Sequence, residues 1–276
     1  MTQRKTIRLL GVELDAVTLP QAIDRIAGGL ASGQGGGGIT PNLEILRRLV
    51  HERETAALCE GATLRLADGM PLVWASRIRG TPLPERVAGS DLIWGLCRRA
   101  AEDGRSVFLL GGNPGSAEAA AGELRRRSPG LRVAGTECPA MGFERDEAYL
   151  AGLRERLAGI RPDIVFVGLG FPKQERLIAQ LRPVLPGAWF LGVGVTFSFV
   201  SGEIRRAPRW MRAAGLEWAH RLAQEPARLA KRYLVYGVPF GMELLLRSAL
   251  ERVRDVGGGS RKPEESRRAA SDGECS

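Results

Sequence analysis

The stretch DIVFVGLGFPKQE, Asp163 to Glu175, decides the fold. Its first part is a short, unbroken apolar run, the pattern of a strand buried on both faces. Gly168 and Gly170 then turn the chain, and Lys173–Leu181 follows as a helix. The same sequence of strand, glycine turn and helix recurs upstream, where SVFLLGG (Ser106–Gly112) leads into Ser116–Arg127. LRVAGTE (Leu131–Glu137) and AWFLGVGV (Ala188–Val195) read as further strands, with TIRLLGV (Thr6–Val12), GGIT (Gly37–Thr40) and ATLRLA (Ala62–Ala67) before them. Helices fit Leu19–Ala31, Leu43–Cys59, Ser90–Asp103 and Asp146–Leu157, and Pro129, Pro162, Pro183 and Pro186 punctuate them. Apolar strands alternating with helices predict an α/β protein with a parallel, Rossmann-like sheet covered on both faces.

Beyond Gly202 the strands stop. Arg205 to Arg232 carries eight basic residues against two acidic ones, with Trp210 and Trp218 interleaved and Tyr233 just after. Tyr233 to Leu250 is apolar but holds Glu243, Arg247 and the helix breaker Pro239, so it should lie on a bilayer or pack on the core, not span. The predicted division is an α/β catalytic core over 1–202, a basic, amphipathic helical appendage over 203–254 and a disordered tail over 255–276. The core is expected to fold even when the chain is cut after Gly202.

With 276 residues, 44% of them apolar, the chain suits one large domain or one domain with an appendage. A net charge of +9 favours anionic partners: nucleotides, acidic lipid or nucleic acid. Cys59, Cys97, Cys138 and Cys275 form no C-x-x-C pair, which argues against a disulfide framework or a zinc site and fits a reducing cytosol. The N-terminus lacks the apolar run of a signal peptide. No uninterrupted stretch reaches the roughly 18 apolar residues of a spanning helix.

Ligands in open α/β sheets bind at the carboxyl ends of strands. Five loops carry polar residues there. Thr40 and Asn42 can hydrogen-bond a sugar or a base, although Asn42 also suits an N-cap for the helix that follows. Asp68 ends a strand before Gly69 and could serve as a general base or cap the helix starting near Met70; both readings stay open. Arg86 could hold a phosphate with its planar fork, whereas Ser90 and Asp91 read as capping residues. Gly111 and Gly112 open a glycine turn into a helix, a ready anion site, without the full G-x-G-x-x-G. Lys173 and Gln174 sit in the first turn of a helix over the strand ends, and a lysine there opposes the helix dipole. His51 and His220, the two histidines, have no metal-ligand partners at useful spacing, and the chain contains no D-x-D pair. The charge of an anionic ligand must then be met by other cations, for which arginines are the supply.

The blocks ITPNLEIL, LADGMPLVW, ERVAGSDL, VFLLGGNPG, VGLGFPKQE and RRAPRWMRAAGLEWAHRLAQEPARLAKRY occur together and in order. Over roughly Ile7 to Tyr233 the chain resembles the WecG/TagA/CpsF glycosyltransferases. The resemblance implies a metal-independent, inverting transferase with a modified Rossmann core and no cofactor. It implies a UDP-sugar donor, with N-acetylmannosamine or a related hexose transferred to a polyprenyl-diphosphate-linked sugar acceptor. Asp68 then matches the family's base, Thr40 and Asn42 its pocket Thr and Asn, and Arg86 and Gln174 its pocket Arg and Gln. Arg221, Arg228, Lys231 and Arg232 lie in the block whose arginines close over the diphosphate. The resemblance also implies an appendage that docks on the anionic inner face of the plasma membrane, and it leaves room for a homo-oligomer. Ser198 stands where many members carry Asp.

Two other readings compete. GGNPG followed by Glu137 is compatible with an NAD(P)-dependent oxidoreductase, and the basic, tryptophan-bearing appendage with nucleic-acid binding, for which the α/β core is a poor fit.

Overall fold

A computed structural model describes residues 4–258. The chain opens with a hairpin, β1 (Thr6–Leu9) and β2 (Val12–Asp15), that stands apart from the main sheet. TIRLLGV is therefore not one strand of that sheet. Leu10 and Gly11 take positive φ values of 49° and 83°, the two-residue turn whose twist matches an antiparallel pair. Asp15, at the end of β2, is buried, pairs with Arg4 and Arg25 at 2.8 Å each, and accepts the Arg65 N–H at 2.8 Å. The bond from Arg65 ties the hairpin to the sheet edge.

The core elements follow in order: α1 (Leu19–Ala31), β3 (Gly36–Ile39), α2 (Leu43–His51), α3 (Arg53–Glu60), β4 (Leu64–Arg65), α4 (Met70–Arg79), α5 (Gly89–Glu102), β5 (Ser106–Gly111), α6 (Ser116–Arg127), β6 (Arg132–Glu137), α7 (Glu147–Ile160), β7 (Ile164–Gly168), α8 (Lys173–Leu181), β8 (Trp189–Gly192) and α9 (Thr196–Ser201). The helix expected over Leu43–Cys59 is two helices, broken where Glu52 is extended. The Glu52 carboxylate accepts from Thr55 Oγ1 at 2.8 Å and from Arg48 Nε, a local competitor to the helix ladder.

Six parallel strands are arranged in the order β4-β3-β8-β7-β5-β6. The period of two sorts the strand residues onto two faces. Val107, Leu109, Ile164, Phe166, Trp189 and Leu191 pack under α1, α5, α6 and α9, while Phe108, Leu110, Val165, Val167 and Phe190 pack under α7 and α8. β3 is mostly glycine because its neighbour leaves no room. A Cβ at Gly36 would lie 2.8 Å from the Trp189 ring, and one at Gly38 would lie 2.5 Å from Leu191.

The remainder is helical: α10 (Arg209–Ala213), α11 (Glu217–Gln224), α12 (Pro226–Ala230), a π-helical segment Lys231–Gly237, and α13 (Val238–Gly258). Pro239 does not break this run. It sits in the first turn of α13, and the wide π-helical turns before it accommodate the missing N–H. α13 packs on the core. Phe240 and Leu244 are buried with Leu9 and Leu14 of the hairpin and Leu72 and Val73 of α4. Each such side chain contributes about 1.5–3 kcal/mol by leaving water, so a cut after Gly202 uncovers part of the core. The expected tail, 255–276, falls largely outside the described residues; α13 itself continues to Gly258.

Candidate active site

The side chains that converge do so over the carboxyl ends of β3, β4 and β8. Thr40 follows β3, and its hydroxyl donates to Gly192 O at 3.4 Å. Asn42 caps α2, its Oδ1 accepting the Ile45 N–H at 3.0 Å, which leaves its amide NH₂ uncommitted by the cap. Asp68 follows β4. Its N–H donates to Pro41 O at 2.8 Å, and the preceding Ala67 O accepts the Val87 N–H at 2.9 Å, so backbone bonds on both sides fix it. No side chain caps α4, so the capping role for Asp68 is excluded. Its carboxylate lies 3.6 Å from Arg86 Nη1 and is 28% exposed. Burial pushes the carboxyl up to about 6; Arg86 and Arg206 oppose this, and the negative charges of Glu217 and Asp91 add to it.

Arg86 is the hub. Nη1 donates to Glu217 at 2.8 Å and Nη2 to Asp91 at 3.1 Å. Arg206 grips both oxygens of Asp91, at 2.6 and 2.7 Å, and approaches Glu217 at 3.4 Å. Arg212 reaches Asp91 at 3.4 Å. Burial works against the charge on Asp91, but the hydrogen bonds and charge of Arg206, aided by Arg86 and Arg212, hold its carboxyl below the ordinary range. Arg212 is also lowered, by burial and by the neighbouring Arg206, which in an arginine works against the charged form. Three guanidiniums and three carboxylates thus share one partly buried site that joins the core to the helices after Gly202.

Asp91, Arg206, Arg212 and Glu217 are the functional candidates that the sequence did not single out. Asp91 is not the capping residue expected of it, since α5 has no side-chain cap and the carboxylate is turned to the arginines. The Arg86 contact spans five positions, but the contacts with Arg206 and Arg212 span more than a hundred, and local spacing carries no signal of those.

Several expected site residues are engaged elsewhere. Gly111 and Gly112 have φ values of 104° and 86°, and a Cβ on Gly112 would lie 2.3 Å from Ser116 Oγ, so the glycines are required by the turn. As an anion site the turn is compromised: the Gly112 N–H donates to Gly168 O at 2.8 Å, and Asn113 brings the carboxylate of Glu203 to it at 2.5 Å. Lys173 is paired with Glu144 instead of reaching over the strand ends. Gln174 is buried. Its Oε1 accepts the Gly194 N–H at 3.0 Å and its Nε2 donates to Glu175 at 2.8 Å, so it fixes the loop after β8 beneath Thr40.

Arg221 lies over the Phe199 ring at 5.6 Å, Arg228 pairs with Glu225, Arg232 lies over Tyr233 at 5.9 Å, and Lys231 is exposed. Among the described residues none of these four contacts Asp68 or Arg86; the basic residues that do reach the cluster are Arg206 and Arg212. Ser198, at the position of the family Asp, is buried in α9. Glu137, the candidate ribose ligand of an oxidoreductase, is taken by Tyr149 at 2.7 Å and Arg156 at 2.5 Å. Among the described residues no three His, Cys, Asp or Glu side chains are grouped to hold a metal ion.

A parallel α/β sheet whose strand ends hold a carboxyl of raised pKa beside a guanidinium cluster is compatible with a group-transfer enzyme. The comparisons with known proteins agree. The sequence profile of the glycosyl transferase WecG/TagA/CpsF family matches residues 7–254. The chain is 33% identical over 190 residues to an N-acetylglucosaminyldiphosphoundecaprenol N-acetyl-beta-D-mannosaminyltransferase of Bacillus spizizenii, covering 69% of this chain and 72% of that one. It is 31% identical over 189 residues to the enzyme of the same name from Bacillus subtilis, covering 68% and 72%. The chain belongs to the WecG/TagA/CpsF family and is a glycosyltransferase, which sets the oxidoreductase and nucleic-acid readings aside.

Proposed function

We propose that this enzyme transfers N-acetylmannosamine, or a related hexose, from a UDP-sugar to a polyprenyl-diphosphate-linked sugar, with inversion, in cell-surface polysaccharide synthesis. The names of both Bacillus relatives support the acceptor class and the transferred sugar. The observation that carries the mechanism is Asp68, a carboxyl raised to about 6 beside Arg86. A base with such a pKa is ionised at neutral pH yet still a useful proton acceptor.

In this reading Asp68 accepts the proton of the acceptor hydroxyl as that oxygen attacks the anomeric carbon. UDP departs from the opposite face, and the guanidiniums of Arg86 and Arg206 meet its developing charge. Thr40 and the amide of Asn42 line the approach, and Gln174 holds the loop beneath them. Arg221, Arg228, Lys231 and Arg232 suit the acceptor's diphosphate or the membrane surface. α13 supports peripheral docking: opposite the face that carries Phe240 and Leu244 it exposes Met242, Leu246, Leu250 and Val253, each at about 60% or more of its surface. No described helix is long and apolar enough to cross a membrane.

The test is a panel of UDP-sugars with a short-chain polyprenyl-diphosphate-linked N-acetylglucosamine, reading UDP release. Release with UDP-N-acetylmannosamine above all others is expected. Release with no UDP-sugar, or only in a form independent of acceptor, contradicts the proposal. Loss of sedimentation with anionic liposomes when Leu246 and Leu250 become Gln is expected from docking, and unchanged sedimentation contradicts it.

A further inference from the structure

Both terminal nitrogens of the Arg86 fork are already engaged. Its Nη1, the nitrogen that also faces Asp68, carries the Glu217 carboxylate at 2.8 Å, and Nη2 carries Asp91. These two acids are not equivalent. Asp91 belongs to the first turn of α5 in the core and is held by Arg86, Arg206 and Arg212 together. Glu217 comes from the other side of the site. It is the first residue of the short helix α11, entered through Gly215 at a φ of 73°. Among the described residues its carboxylate reaches only Arg86 and Arg206.

Three guanidiniums held this close repel each other, and partial burial makes an unmatched charge costly. Asp68, Asp91 and Glu217 balance them one for one. A diphosphate that approaches Asp68 brings further negative charge to the same forks, where Glu217 stands between it and Arg86. The cluster also has donor capacity to spare: Arg212 Nε is buried and, among the described residues, has no hydrogen-bond partner.

We propose that Glu217 is a displaceable occupant of the anion site: its carboxylate fills the Arg86 and Arg206 positions that a substrate diphosphate takes, and binding exchanges one anion for the other. The exchange keeps the arginine cluster neutralised when the site is empty. It also couples substrate binding to the position of α11, because Glu217 joins that helix to Arg86 of the core. Asp91 remains in place throughout as the fixed anchor of the three arginines. Glu217 is then a positioning residue that acts through Arg86, and the proposal rests on the diphosphate-transfer reading above.

Calorimetric titration of the full-length protein tests it, with inorganic diphosphate and UDP as separate probes. Glu217→Gln should bind diphosphate at least about fivefold more tightly than the wild type. Removing a negative charge near any anion site has some such effect, so Glu217→Asp is the discriminating variant. It keeps the charge but shortens the reach, and displacement expects it to tighten binding as well. Both gains should vanish when Arg86→Gln is added.

Unchanged or weaker diphosphate binding in a folded Glu217→Asp variant overturns the proposal, as does a gain that survives Arg86→Gln. Failure of both Glu217 variants to fold also overturns it, since Glu217 is then a structural brace. The outcomes separate from those of the parent reading. Tightened diphosphate binding without any UDP binding keeps the displaceable glutamate and discards the nucleotide-sugar donor. UDP binding that is indifferent to Glu217 does the reverse.

Discussion

Two parts of the same sheet rim look alike in sequence and differ in the fold. At the β5 and β7 ends, glycine turns lead into helices, and the sequence marks both as ligand sites. There the Gly112 N–H is spent on Gly168 O, Lys173 on Glu144, and Asn113 on Glu203. At the β3 and β4 ends Asn42 and Asp68 each had a local capping explanation; Asn42 does cap α2, whereas Asp68 caps no helix and faces Arg86, which is clustered with Asp91, Arg206, Arg212 and Glu217. A glycine turn is an anion site only if its N–H groups remain free. A carboxylate becomes a base only where burial and neighbouring charge shift it. Both conditions are tertiary, and in the proposed reading they separate a structural end of the rim from a chemical one.

The contrast can be broken most sharply at Asp68. Asp68→Asn should lower kcat roughly 100- to 10,000-fold, the usual contribution of a positioned base, with an unchanged melting temperature. Retention of more than about a tenth of the activity removes Asp68 from the role. Next in size is Arg86→Gln. Losing a hydrogen bond to a charged group costs about 1.5–3 kcal/mol, so kcat/KM should fall by roughly one to two orders of magnitude, and a loss below threefold contradicts its contact with the diphosphate.

The other end of the rim should respond in stability and not in chemistry. Gly112→Ala forces a left-handed φ on a residue whose Cβ meets Ser116, at a cost of order 1–3 kcal/mol. Its melting temperature should drop by several degrees while kcat per folded molecule stays within about twofold. Lys173→Ala removes only an exposed ion pair, worth less than about 1 kcal/mol. The folding equilibrium should change by no more than about fivefold and kcat/KM by no more than about twofold, and a tenfold loss of activity would return this end of the rim to the active site.

Much of the core was legible because apolar periodicity is a local property. α1, α6 and α8 occupy the spans expected from it, and the sheet is parallel as the unbroken apolar runs required. The hairpin was misread because Leu10 takes a positive φ that a leucine does not advertise. The continuity of the helix through Pro239 was hidden because a π-helical turn upstream absorbs the missing donor. Asp68, Arg86, Thr40 and Asn42 could be picked out as polar residues at strand ends, with their roles sharpened by resemblance. Arg206, Arg212 and Glu217 could not, since what distinguishes them from the other charges after Gly202 is a contact with α5 and Arg86, made across more than a hundred residues.

The most direct test of the account is the pH dependence of kcat/KM between pH 4.5 and 8, with UDP-N-acetylmannosamine and the short-chain acceptor. Asp68 must be ionised to accept a proton. Burial raises its carboxyl to about 6, against the opposing charges of Arg86 and Arg206 and with the support of Glu217 and Asp91. Activity should therefore rise with pH, reach half its maximum near pH 6 and level off above it. A profile that is flat from pH 5 to 8, as an ordinary exposed carboxylate would give, contradicts the assignment of Asp68 as the base of raised pKa.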